Sequence, residues 1–285
     1  MRCSGCESPD TVRLSSRTEL GYARFRCRSC LRTFNERSGT PFNFLEYPTD
    51  LVFLVVFWRL RFALSLRDVV EMCLLRGVTL THETVRDWEQ RFGPALAAGL
   101  KKRRHGRCGT RWHLDETYIK VKGRWVYYYR AIDRDGNLVD TMLSETRDKP
   151  AAIRFLRQAI ETAGSKPTCV TTDQLQSYRK AVRRTCGRKV QYRTNQYLNN
   201  RIEQDHRGVK RRYGPMLGFR SFASAASFCS AYDETRQHFR TRSIMNEQTS
   251  LTQQREHFRQ AVTDPQQSFL SCPIVAGQRA EALAA

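Results

Sequence analysis

The sequence contains no apolar run long enough to cross a bilayer. The longest, LVFLVVFW at residues 51–58, is soon interrupted by Arg59 and Arg61, whereas a spanning helix needs about 20 apolar residues. No apolar run follows the first positive charge of the amino terminus, MRCSGC, so no secretory signal is expected and a cytoplasmic protein is. Acidic residues are scarce: 28 Asp plus Glu stand against 49 Lys plus Arg, a formal net charge of +21. Such a balance favours a polyanionic partner. With no anchor for a membrane, nucleic acid remains. Internal repeats are also absent. Ten cysteines spread over 285 residues are too dilute for the disulfide framework of a secreted mini-protein.

Four of those cysteines have a special spacing. Cys3, Cys6, Cys27 and Cys30 form two CxxC pairs, CSGC and CRSC, with twenty residues between them. Thiolates in each pair can reach one tetrahedral ion, and two such knuckles on facing hairpins complete a closed structural zinc site. The intervening residues alternate apolar and polar as short strands do, which predicts a zinc ribbon over residues 1–40. Cys73, Cys108, Cys169, Cys186, Cys229 and Cys272 have no paired spacing and read as core or surface thiols.

Helices are predicted next, over residues 41–107. DLVFLVVFWRLRFAL is apolar nearly all round, as a buried helix is. Two amphipathic helices follow, Ser65 to Arg76 and Thr81 to Phe92, with Gly77 in the turn, Thr81 as a cap and Gly93-Pro94 as a stop. The pair resembles a helix-turn-helix, whose second helix enters the major groove. His82, Glu83, Arg86 and Gln90 would then be its exposed face. An ordinary helical hairpin is the alternative. KKRRHGRCGTR, residues 101–111, reads as a basic linker in which Lys101, Lys102, Arg103 and Arg104 contact backbone phosphate.

An α/β unit is predicted over residues 108–242. RWHLDETYIKVKG, RWVYYYRAIDRDG and NLVDTMLSET alternate as three strands joined by tight turns. An amphipathic helix ended by Gly164, a short strand stopping at Asp173, a second helix, a fifth strand and the helix LNNRIEQDHRGVKRRYG complete it. The order βββαβαβα predicts a mixed five-stranded sheet flanked by helices.

If the first and fourth strands are neighbours, Asp115 and Asp173 lie side by side, and the last helix brings Glu203 over them. Converging carboxylates in a basic protein call for a hard divalent cation, magnesium or manganese. Two such ions about 4 Å apart support phosphoryl transfer. Singly, each acid has a plainer role: Asp173 as a helix cap, Glu203 as an ion-pair partner of Arg207. Glu116 faces away from Asp115 and would pair with a surface arginine. Asp133, Asp135 and Asp140 flank a turn and are expected to be solvated.

WHLDETYIKVKGRWVYYYRAIDRDG, TTDQ and YLNNRIEQDHRGVKRR, behind a CxxC ribbon, resemble the DDE-type insertion sequence transposases, specifically the insertion sequence six group. The resemblance covers about residues 1–240. It implies an RNase H-like catalytic domain with Asp115, Asp173 and Glu203 as the metal-binding triad and two Mg2+ or Mn2+ ions. It also implies a basic residue seven positions after the glutamate, which Lys210 supplies. The interval between Asp173 and Glu203 is shorter than the group's usual one, as a trimmed loop before the last strand would make it. Arg207, Lys210, Arg211 and Arg212, together with His206, are expected to meet phosphate. Asp205 is expected to be structural.

The function so implied is binding of terminal inverted repeats and metal-dependent cleavage and strand transfer, on double-stranded DNA of the element ends and the target. Joining two ends implies a homodimer or larger assembly, nucleoid-associated in a prokaryotic cell. The competing readings are a catalytically inactive DNA-binding regulator and an RNase H-like nuclease without strand transfer. Residues 243–285 form a tail expected to be helical from Ser250 to Val262 and disordered afterwards.

Overall fold

The computed structural model describes residues 1–173, 176–194, 200–213, 216, 218–240 and 250–270. β1 (Thr11–Arg17), β2 (Ala23–Cys27) and β3 (Thr33–Asn35) form an antiparallel sheet in that order. Its core is small: Cys3, Cys27 and Phe34, with Phe25 and Cys30 against them. Arg37 ties it to the helices, donating to the carbonyls of Phe42 and Leu45.

α1 (Thr49–Arg61) is buried on most sides, through Val52, Phe53, Val56 and Leu60. Its Arg59 pairs with Glu89 at 2.7 Å. α2 (Leu66–Leu74) opens with a capping box between Ser65 and Asp68 and stops before Gly77, which has φ +75°. α3 starts at the predicted Thr81 cap. It does not stop at Gly93-Pro94, however, but runs as His82–Arg104. An internal proline costs about 3 kcal/mol. The cost is outweighed here because Leu96, Ala97 and Leu100 are buried beyond it, each leucine contributing about 1.5–3 kcal/mol. Gly93 helps: an added Cβ would sit 3.5 Å from the Ala231 Cβ of a later helix, so the two backbones pass close.

The longer α3 also corrects the predicted basic linker. Residues 101–104 are its last turn, and three of their four side chains are engaged. Lys101 meets Asp140 at 2.8 Å, Arg103 meets Asp264 at 3.1 Å, and Arg104 pairs with Glu234 and donates to the carbonyls of Leu138 and Val139. Lys102 is exposed.

β4 (Arg111–Val121), β5 (Arg124–Asp133) and β6 (Leu138–Ser144) form the predicted meander. α4 (Lys149–Ala163), β7 (Cys169–Thr172), α5 (Gln176–Thr185), β8 (Gln191–Thr194) and α6 (Asn200–Tyr213) follow. The sheet order is β6-β5-β4-β7-β8. β4 pairs antiparallel with β5 and parallel with β7, and β8 is parallel to β7. The first and fourth strands of the unit are therefore neighbours, in a mixed sheet of RNase H-like topology.

The pleat sorts the two faces. Trp112, Leu114, Tyr129 and Ala131 pack with α4 and α5. Ile119, Val121, Val126 and Tyr128 join α1, α3, α6 and α7 (Phe222–His238) in a second core. Asp133 and Asp140, expected to be solvated, are 1% and 2% exposed. Asp133 accepts from the backbone N–H groups of Gly109, Asp135 and Asn137 and so organises the turn it flanks. Asp140 accepts from Lys101, Gln158 and Thr162.

α8 (Leu251–Leu270) continues eight residues past the predicted end at Val262, through Pro265. The part of the tail expected to be disordered lies, from residue 271 on, outside the described residues, as does Cys272. Among the described residues no helix is long and apolar enough to cross a membrane.

Candidate active site

The four paired cysteines converge. Cys3, Cys6, Cys27 and Cys30 place their Sγ atoms within 4.8 Å of one another, with Cys3 to Cys30 at 3.5 Å and Cys6 to Cys27 at 3.6 Å. Each knuckle closes alike. The N–H of Gly5 donates to Cys3 Sγ at 3.4 Å and that of Cys30 to Cys27 Sγ at 3.5 Å. The residue after each second cysteine, Glu7 and Leu31, turns through positive φ, 60° and 59°. Hydrogen bonds from the Cys30 and Ser29 backbone and from neighbouring thiols draw the Cys27 thiol down to about 6. Four thiol donors, one of them inclined to ionise, fit a tetrahedral soft-ligand metal.

Asp115 lies mid-strand on β4, its side chain 17% exposed. Burial first, then the charges of Glu116, Asp173 and Glu203, push its carboxyl up to about 7, although the Glu116 N–H opposes them at 2.9 Å. Asp173 follows the end of β7 and its side chain is 37% exposed. Glu203 is in the first turn of α6 and exposed. α6 is docked on the sheet by Ile202, His206, Val209 and Arg212, all buried. Asp115 thus feels the charge of both Asp173, past the end of the neighbouring strand, and Glu203, on α6. Among the described residues only the cysteines form a tight group of metal-capable atoms within 4.8 Å; the acids stand farther apart. A carboxyl whose ionisation is resisted by its burial and by neighbouring carboxylates is one that a divalent cation would relieve, so the residues fit magnesium or manganese.

The basic residues of α6 divide. Arg207, Lys210 and Arg211 are exposed and share the Glu203 face, at helical offsets of four, seven and eight. Arg212 is 5% exposed and donates to the carbonyls of Arg59 at 2.7 Å and Leu64 at 3.3 Å, so its guanidinium is turned into the protein and away from phosphate. His206 is also corrected. Its Nδ1 lies 3.8 Å from Asp115, and burial, then the nearby Arg130, lower its imidazole to about 3. A neutral ring beside Asp115 cannot serve as a cation for phosphate. On α3, His82 and Arg86 both engage Glu83.

Two groupings carry no signal in the sequence. Arg130, on β5 opposite Asp115, is 2% exposed and holds Asp205 of α6 and Asp233 of α7. Arg236 adds a second bond to Asp205 at 2.7 Å, which gives Asp205 the structural role expected of it. On the other sheet face, Glu116 is buried between Arg147 and Tyr178, and the same Arg147 reaches Asp173 at 3.3 Å. Glu116 does pair with an arginine, but one that also touches the acid cluster. Lying in the loop before α4, Arg147 had no motif to single it out.

An RNase H-like sheet with two aspartates on adjacent strands and a glutamate on the helix above them defines the class of the DDE nucleotidyl transferases. A family model for the DDE domain of IS240-type transposases matches residues 109–242. The transposase for insertion sequence element IS257 in transposon Tn4003 of Staphylococcus aureus is 40% identical over 173 residues, 59% of this chain and 76% of that protein. The transposase for insertion sequence-like element IS431mec of S. aureus strain Mu50 is 39% identical over the same shares. The HTLV-2 integrase catalytic core domain in complex with magnesium aligns with 50% of this chain and 95% of its own, at a TM-score of 0.36 and 14% identity. The chain belongs to the DDE-type insertion sequence transposases.

Proposed function

We propose that this transposase binds the terminal inverted repeats of its element and carries out both cleavage and strand transfer through Asp115, Asp173 and Glu203. The convergence of these acids beneath a helix whose exposed face bears Arg207, Lys210 and Arg211 supports the reading. Asp115, Asp173 and Glu203 hold two Mg2+ or Mn2+ ions. When bound, these supply activation of the attacking oxygen and neutralisation of the leaving one. Arg207, Lys210 and Arg211 fix the DNA backbone beside them. Neutral His206 and buried Arg130 keep α6, and so Glu203, in place. Water attacks an end phosphodiester in line and the P–O bond to the 3′ oxygen breaks; the freed 3′ hydroxyl then attacks a target phosphate, whose own P–O bond to its 3′ oxygen breaks to release a target 3′ hydroxyl.

In this reading residues 1–40 are a ribbon holding one zinc ion through Cys3, Cys6, Cys27 and Cys30. Residues 41–107 read the repeats with α3, through His82 and Arg86. Residues 108–242 are the catalytic domain, and 243–285 a tail. Synapsis of two ends requires a homodimer or larger assembly, working in the cytoplasm at the nucleoid.

The test is strand transfer in vitro with magnesium or manganese, on DNA bearing the element's own ends. Wild type should join ends to target. Glu203→Gln should bind the same DNA and fall at least about a thousandfold in joining, as the loss of a group acting on the transition state does. Binding without cleavage by either protein would leave the regulator reading. Cleavage without joining would leave the nuclease.

A further inference from the structure

Beyond the acids, β4 and β5 run on as a hairpin whose turn, Lys122-Gly123, has both φ values positive, 48° and 78°. That geometry matches the twist of the strands. β7 pairs with β4 only as far as His113, so the hairpin extends past it. On the Glu116 face of this extension, Tyr118 opposes Tyr127 and Lys120 opposes Trp125. Tyr118 is 46% and Trp125 60% exposed. Their rings form one cluster: Tyr118 lies 5.3 Å from Tyr127 and 6.5 Å from Trp125, and the Lys120 ammonium stands 5.8 Å from the Trp125 ring. Lys120, Lys122 and Arg124 are exposed around it.

Large aromatic rings left in water cost free energy, and single exposed ones are common. Three in contact under a cation are a built surface. This surface lies on the sheet face opposite Asp115. Tyr118 is two residues beyond Glu116 on the same face, about 7 Å along the strand. Glu116 holds Arg147, which reaches Asp173 at 3.3 Å, so a side-chain relay, not a shared face, connects the rings with the acids.

We propose that Tyr118, Tyr127 and Trp125, with Lys120, form a stacking shelf for an unpaired nucleotide of the bound DNA. The shelf rests on the DNA-processing reading above and names the form of DNA it takes. Paired bases hide their faces in the duplex; an unpaired base offers one to a ring, whatever its sequence. The cations at the rim complement the strand that carries the base. The shelf therefore favours DNA that is frayed or opened over paired duplex.

The test compares the full chain's affinity for a blunt duplex and for the same duplex with four unpaired nucleotides at one end. Trp125→Ala and Tyr118→Ala should each lower affinity for the frayed DNA about tenfold and leave the blunt duplex within about twofold. Trp125→Phe should keep most of the preference. Trp88 and Trp112 are buried and Trp58 is half-buried, so frayed DNA should also quench wild-type fluorescence more than blunt DNA does, and Trp125→Phe should remove that difference. Equal losses on both DNAs, or none, would overturn the shelf while strand transfer by wild type left the transposase reading standing. A shift of Trp125→Ala to a smaller species in sedimentation would overturn it in favour of an interface between copies. Failure of wild type to bind either DNA would sink both readings.

Discussion

At the residue scale Asp115 sets the most specific expectation. Its carboxyl is raised to about 7 from an ordinary value of 3.8. The folded state thus binds this proton more tightly than the unfolded one, and the contribution to stability, full below about pH 4, is lost as pH rises through 7. Asp115→Asn cannot ionise and should therefore be more stable than wild type at pH 8 in magnesium-free buffer, by up to a few kcal/mol, and similar at pH 4. His206, lowered by burial, acts in the opposite direction over part of that range. The difference between variant and wild type in urea titrations at the two pH values isolates Asp115; no difference at pH 8 would refute the raising of its carboxyl by burial and neighbouring charge. The elements that carry the three acids were legible in the sequence, because strand alternation and helix periodicity are local patterns. Depth was not legible. Asp133, Asp140, Arg104 and Arg212 look like surface charges in a row of letters, and each is turned inward by partners distant in the chain.

At the scale of the element, α6 separates two kinds of arginine one position apart. Arg211 is on the exposed Glu203 face; Arg212 is among the buried residues, with the Phe228 ring 5.4 Å from its guanidinium. Arg212→Ala should destabilise the protein by about 2–4 kcal/mol, since it takes a donor from the buried Arg59 carbonyl and leaves a cavity beside Phe228. Arg211→Ala should change stability by less than about 0.5 kcal/mol and reduce the salt dependence of DNA binding by about one phosphate contact. Thermal melts and binding isotherms at several salt concentrations separate the two; a reversal of the pattern would move the DNA to the other side of α6. Helix starts were readable at Ser65 and Thr81, where a cap is a local matter. The end of α3 was not, because Gly93-Pro94 is overruled by burial against α7, a helix more than a hundred residues later.

At the scale of the whole molecule, alternation and turn residues were enough to read the five strands, whereas the adjacency of the first and fourth was only a condition, which the sheet order meets. The sharing of one core by α1, α3, β4, β5, α6 and α7 was out of reach, since no local pattern says which apolar face meets which. The ribbon is the exception to that sharing, with a cluster of only three buried residues at its centre. A core so small cannot hold its strands without a cross-link. Removing zinc with a chelator, or Cys27→Ser, should abolish amide-exchange protection in β1–β3 while the cooperative melt of the remaining protein shifts by only a few degrees. Persistent protection in metal-free protein would show that the thiol cluster is not a metal centre.

The clamp behind α6 also bears on when the molecule becomes dangerous. Arg130 holds Glu203's helix through Asp205, and its other acid, Asp233, is on α7. A ribosome-bound chain that has already made all three acids still lacks the part that seats the last of them. The seating of α6 thus waits on residues made after all three acids, and a chain cut short before α7 would carry the acids without the clamp that holds the last of them in place.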